Sequence, residues 1–167
     1  MKVFGLAGWS GSGKTTLMVN LIPELVGRGL SVSTMKHAHH DFDIDQPGKD
    51  SYEHRQAGAR EVMISASKRW ALMHEVRKEG EPSVDELIAR MTPVDLLLVE
   101  GFKRHAHSKI EIHRPTLGKP LLQNNDPNIV AVASDENIDD LIVPVFDLDN
   151  IIGIADFIIT KGKLDCE

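Results

Sequence analysis

The chain has a single cysteine, Cys166, among 167 residues. A lone thiol cannot form an intramolecular disulfide, and its position near the C-terminus suits a bystander in a reducing compartment. No apolar run approaches the roughly 20 residues that a membrane-spanning helix needs. Met1-Lys2 leads straight into a strand-like segment, without room for a signal peptide. The expected location is therefore the cytoplasm. Basic residues are also outnumbered. Lys and Arg total 19 against 25 Asp and Glu, a net charge of −6. That balance argues against broad binding to nucleic acid or to an anionic membrane. What is present is ordinary globular composition, 41% hydrophobic and 26% charged. With no repeat, low-complexity tract or composition break, one α/β domain over residues 1–167 is expected.

Against that background Gly8-Trp9-Ser10-Gly11-Ser12-Gly13-Lys14-Thr15 stands out. It reads G-x-x-x-x-G-K-T and follows the apolar segment Val3-Phe4-Gly5-Leu6-Ala7. After it, Leu17, Leu21 and Leu25 recur at helical spacing, joined by Met18, Ile22 and Val26. Strand, glycine-rich turn and helix in this order form a phosphate-binding loop. The chemistry explains the residue types. Glycines let successive N–H groups turn inward around an anion, and the helix adds its positive end. Lys14 supplies a mobile charge for the β- and γ-phosphates, and the Thr15 hydroxyl can meet a magnesium ion. Gly11, Ser12, Gly13, Lys14, Thr15 and Thr16 are thus the expected nucleotide contacts. Pro23 is expected to kink the helix or to break its hydrogen-bond ladder locally.

A second run, Val94 to Gly101, is almost unbroken apolar sequence ending in Glu100. It suggests a central strand buried on both faces. In phosphate-loop proteins, a strand beside the first carries an acid that holds magnesium through water. Glu100 fills that place, whereas Asp95 lies at the opposite strand end. Between the two runs lies a polar stretch, Lys36 to Ser51, containing His37, His39, His40, Asp41, Asp43 and Asp45. Its spacing fits neither a closed zinc set nor a calcium loop. A segment that responds to the γ-phosphate and its magnesium is one reading; a transition-metal site and a solvated loop are the others. Lys103 and Arg104 follow Glu100, where ligands of open α/β sheets sit. Asp135 closes the apolar run Ile129 to Ala133 and is the best candidate to pair with a guanine base. The familiar N-K-x-D signature is absent.

The remaining elements are more ordinary. Asp50 or Ser51 is expected to cap a helix running through Ala59. Glu61–Ser65 and Arg69–His74 read as an antiparallel hairpin. Ser83-Val84-Asp85-Glu86 is a capping box. Lys109–His113 alternates polar and apolar, with Ile110 and Ile112 inward, like a half-exposed strand added antiparallel. Residues 114–128 read as a loop with a partner or substrate role, or none. A last strand over Ile142–Phe146 and a closing helix capped by Asp149 complete the chain. Together these imply an α/β, three-layer nucleotide-binding fold. Its sheet is mixed and mainly parallel, with antiparallel hairpin additions. The edges of the antiparallel parts are the expected homodimer contact.

Four segments resemble the MobB family, molybdopterin-guanine dinucleotide biosynthesis protein B. They are Gly8–Thr16, the stretch from Lys36-His37-Ala38-His39-His40-Asp41 through Ser51, Arg69-Trp70-Ala71-Leu72-Met73, and Leu98-Val99-Glu100-Gly101-Phe102-Lys103. The resemblance implies binding of GTP with Mg2+, slow GTP hydrolysis at most, and a homodimer. It also implies a helper role beside the MobA-type guanylyltransferase that attaches GMP to molybdopterin. Molybdopterin itself is a further expected contact of the histidine and aspartate stretch. Three other functions compete. A small-molecule kinase shares the loop and size but uses lid arginines, and no such cluster exists here. A partition-type ATPase carries lysine where Trp9 stands. An interaction scaffold with an empty loop is the third. No residue is identified as positioning an attacking water, although His39, Asp41 and Asp43 are candidates.

Overall fold

The computed structural model describes residues 1–38, 42–102 and 105–165. The chain forms two compact units. The first comprises residues 1–37 and 92–167, and the second comprises residues 38–91.

The first unit is built on a six-stranded sheet of order β2-β5-β1-β6-β7-β8. The strands are β1 (Lys2–Ala7), β2 (Val32–Lys36), β5 (Leu96–Glu100), β6 (Lys109–His113), β7 (Ile129–Ser134) and β8 (Val145–Asp147). Every pairing in it is parallel. Helices α1 (Lys14–Gly27) and α4 (Ile151–Gly162) pack together. The core they share with the sheet holds Leu17, Leu21 and Leu25 from α1 and Ile154, Ala155 and Ile158 from α4. From the sheet come Phe4, Leu6, Leu98, Ile110 and Ile112. Phe157 meets Phe4 edge-on at 6.5 Å, a favoured aromatic geometry. The chain first builds the β2/β5 side of β1 and then crosses to β6. The C-terminal end of β1 is therefore a topological switch point, where such sheets bind ligands.

The second unit contains α2 (Asp50–Gln56), the antiparallel hairpin of β3 (Glu61–Ala66) and β4 (Arg69–His74), and α3 (Val84–Ile88). Ser83 and Glu86 form the expected capping box. Arg55 holds the start of the unit together. Its guanidinium reaches Asp43 at 2.6 Å and Asp45 at 2.8 Å and lies over the Tyr52 ring.

Several sequence expectations need correction. The largest concerns β6. It is neither half-exposed nor antiparallel; all five of its residues are buried, and it runs parallel between β1 and β7. It is therefore no edge for a dimer contact. Ile110 and Ile112 face the core as expected. The alternate face carries Lys109, Glu111 and His113, which are hidden too, and the charged groups of the first two have found partners. The Glu111 carboxylate accepts the backbone N–H groups of Leu122 and Gln123, both at 2.8 Å. The Lys109 ammonium meets Asp126 at 3.1 Å and the His105 carbonyl. Burial of polar groups is tolerated when they are paired in this way.

The other corrections are local. The α2 N-cap is Lys49, not Asp50 or Ser51, and no side chain caps it. That helix ends at Gln56, short of Ala59. Asn150, one residue beyond Asp149, caps α4 by accepting the Gly153 N–H at 3.0 Å. The last strand is Val145–Asp147 rather than Ile142–Phe146, and Ile142 is 93% exposed.

Candidate functional site

Residues 8–13 link β1 to α1 in a turn that only glycine permits at its first position. Gly8 has φ 148, and a Cβ there would lie 2.5 Å from the Ile112 carbonyl and 2.6 Å from Ser12 Oγ. No side chain caps α1, and its first turn holds no acidic residue. Its positive N-terminal end thus favours an anion. Ser12 Oγ is buried and has no hydrogen-bond partner among the described residues. Lys14 Nζ donates to the Gly8 and Trp9 carbonyls at 3.0 and 2.8 Å, so its charge is held over the loop. Thr15 and Thr16 are exposed on the first turn of α1. Gly8, Gly11 and Gly13 all take positive φ in this turn.

Glu100 ends β5, which pairs directly with β1 in the register Leu6↔Glu100. This is the placement expected of a magnesium-holding acid. Its carboxylate is 14% exposed and 3.5 Å from Lys36 Nζ. The Thr15 hydroxyl and the Glu100 carboxylate are both hard oxygen donors, the ligand type that magnesium prefers. Asp95, at the other end of β5, has a structural task instead. It accepts hydrogen bonds from the Ser31 hydroxyl and backbone N–H, which hold its carboxyl below the usual range.

His37 belongs to the same end of the sheet. Its N–H donates to the Glu100 carbonyl at 2.9 Å, and its ring meets Phe102 at 4.8 Å. Phe102 has φ 45, an uncommon backbone conformation for a bulky residue. Of the other candidates in the histidine and aspartate stretch, Asp43 is engaged by Arg55 within the second unit. His39, His40 and Asp41 lie outside the described residues, as do Lys103 and Arg104. Among the described residues, no group of three or more His, Cys, Asp or Glu is arranged to hold a metal ion.

Asp135 follows β7 at the same end of the sheet. It lines a cavity of about 340 Å³ with Ser134, Glu136, Ile138, Phe146 and Asp147. The structure adds contacts that sequence reasoning missed. Arg114, immediately after β6, donates from Nε to the Ser12 carbonyl at 3.1 Å and is ion-paired with Asp135. Trp9 Nε1 donates to the Pro120 carbonyl at 2.8 Å, and Lys119 Nζ sits 5.7 Å from the centre of the Trp9 ring. The 114–120 segment therefore leans on the phosphate-binding loop. Its signal was the position of Arg114 at the end of β6, which means something only once β6 is known to flank β1.

Comparison with known proteins places this architecture. Residues 3–135 match the family described as molybdopterin guanine dinucleotide synthesis protein B, MobB. The chain belongs to the MobB family. It is 44% identical over 160 residues to the molybdopterin-guanine dinucleotide biosynthesis adapter protein of Escherichia coli K12, covering 94% of this chain and 91% of that one. The adapter protein of Haemophilus influenzae is 42% identical over 158 residues, covering 93% and 86%. A crystal structure of molybdopterin-guanine biosynthesis protein B superposes with a TM-score of 0.77 at 29% identity, covering 96% of this chain and 99% of that one. A MobB homologue from Bacillus stearothermophilus gives 0.73 at 27%, covering 98% and 99%. The loop between β1 and α1 and the Glu100 end of β5 both lie within the matched residues.

Proposed function

We propose that this chain is a GTP-binding adapter in molybdopterin guanine dinucleotide biosynthesis, working beside a MobA-type guanylyltransferase in the cytoplasm. The observation that carries the reading is the uncapped α1 N-terminus behind the Gly8–Thr15 loop, with Glu100 on the adjoining strand, in a chain of the MobB family. In this reading the backbone from Gly11 to Thr16 cradles the phosphates, and Lys14 turns from the loop carbonyls to the β- and γ-phosphates. Thr15 and Glu100 hold Mg2+, which when bound neutralises phosphate charge. Asp135 accepts the N1–H and 2-amino hydrogens of guanine from the cavity beside β8. Hydrolysis is slow at most. The His37–Asp43 stretch and Lys103 respond to the γ-phosphate or touch molybdopterin.

The adapter acts as a homodimer through the β3–β4 hairpin. Met63, Trp70 and Leu72 fall on one face of that ribbon and are 63%, 66% and 44% exposed. Apolar side chains grouped in this way on a two-stranded ribbon need a cover. Calorimetric titration tests the nucleotide reading. Mg-GTP is expected to bind more tightly than Mg-ATP, with both lost in Lys14→Ala. Equal affinities in the unmodified protein would refute the guanine assignment. Sedimentation of Trp70→Asp tests the dimer, which is expected to dissociate to monomers.

A further inference from the structure

Arg114 touches both halves of the proposed nucleotide site. Its Nε donates to the Ser12 carbonyl, and its Nη1 is paired with Asp135 Oδ2. It passes so close to Gly13 that a Cβ there would lie 3.6 Å from Nε and Nη2. One side chain therefore spans from the backbone that faces phosphate to the acid that lines the cavity between the ends of β7 and β8. The Ser12 peptide is not a neutral anchor. Its carbonyl precedes the Gly13 N–H, so fixing the carbonyl fixes the direction in which that N–H points.

We propose that Arg114 is a positioning residue for base selection. It holds the Asp135 carboxylate at a set reach from the phosphate loop, so that a bound nucleotide meets both contacts at once. This rests on the reading that a guanine nucleotide occupies the loop. A carboxylate offers about four lone-pair directions. Arg114 uses Oδ2, which leaves Oδ1 to accept from N1–H and the 2-amino group of guanine. Adenine presents an N1 lone pair in place of that N–H, so a carboxylate that cannot swing away rejects it. The discrimination therefore depends on how firmly the acid is held. Arginine suits the task because its planar, permanently charged fork can meet a carbonyl and a carboxylate together. Lysine supplies the charge as a single point and cannot reproduce the span.

The test is calorimetric titration of the full chain with Mg-GTP, Mg-ITP and Mg-ATP. The proteins compared are unmodified, Arg114→Ala, Arg114→Lys, Asp135→Ala, and the Arg114→Ala/Asp135→Ala double variant. The unmodified protein is expected to rank GTP above ITP, which lacks the 2-amino group, and ITP above ATP. Arg114→Ala should cut the GTP-to-ATP affinity ratio by about tenfold, the scale of one charge-assisted hydrogen bond. ATP affinity serves as the internal reference and should move less than GTP affinity. Arg114→Lys should keep the lowered ratio, and the double variant should discriminate no worse than Asp135→Ala. Three results would overturn the proposal while leaving GTP binding intact. They are a full ratio in Arg114→Lys, an equal loss of all three nucleotides in Arg114→Ala, and additive losses in the double variant. Equal GTP and ATP affinities in the unmodified protein would overturn the guanine reading as well.

Discussion

Two strands flank β1, and they are buried by different means. On one side β5, Leu96 to Glu100, is a run of aliphatic side chains, with Leu96, Leu97, Leu98 and Val99 all fully buried. On the other side β6 is equally hidden, yet three of its five residues are Lys109, Glu111 and His113. The first is stable because apolar area leaves water. The second is stable because residues 122–126 supply the N–H groups and carboxylate that Glu111 and Lys109 need. Both strands deliver a functional candidate to the phosphate loop, Glu100 from β5 and Arg114 just after β6. The polar side is the more exacting design. An apolar face tolerates any well-packed neighbour, whereas a buried charge tolerates only its own partner.

The contrast can be broken on either side. Leu98→Ala on the apolar side should cost about 3–4 kcal/mol, the transfer and cavity cost of a fully buried leucine. Urea unfolding would read it as a lower midpoint with an unchanged slope. On the polar side, Asp126→Ala leaves the Lys109 ammonium, 1% exposed, with only the His105 carbonyl among its observed partners. That should cost about 2–3 kcal/mol. The companion variant Lys109→Met/Asp126→Ala should recover part of the loss, and no recovery would contradict the account of β6.

A pH experiment sharpens the comparison further. His107 lies at the entry to β6, 6% exposed, with Nε2 lacking a partner among the described residues. Burial, followed by the charges of Lys109 and His105, pushes it down from 6.5 to about 4, against the pull of Asp126. The unfolded chain therefore binds a proton between those values that the folded chain refuses. Stability is full above about pH 6.5 and falls as the pH drops towards 4, by about 3 kcal/mol from this group. His107→Asn should flatten that part of the stability profile relative to the unmodified protein. An unchanged slope would show that His107 is not its source. The smallest effect belongs to the apolar side. Lys36 is 63% exposed in its bridge to Glu100. Lys36→Ala should change stability by less than about 1 kcal/mol, with the difference shrinking as salt is added.

The same two strands mark how far the sequence could be read. β5 was legible because a continuous aliphatic run has few ways to be satisfied other than at the centre of a sheet. Glu100 at its end followed from that. β6 was misread because alternation of polar and apolar residues ordinarily means one wet face. Nothing local in Lys109–His113 says that Asp126 and the 122–123 amides will return to dry it. The hairpin and the Ser83 capping box were legible because their signals are complete within a few residues. The α2 and α4 caps were missed by one residue or more, where neighbouring polar side chains offer equivalent choices.

By itself, the sequence determined that this protein has a phosphate-binding loop. Glycine spacing, Lys14 and Thr15 act through the backbone of one short segment, and no distant residue is needed to make them meaningful. It also determined the family, whose distinctive segments are contiguous. Tertiary structure alone decided which side chains stand around that loop. Arg114 lies 102 positions from Ser12 and 21 from Asp135, and Glu100 meets Leu6 only through the strand order β5-β1-β6. The physical reason is that a hydrogen bond or ion pair is set by distance in space. Which buried polar groups find each other depends on strand order and loop return, and neither is encoded at the residues themselves.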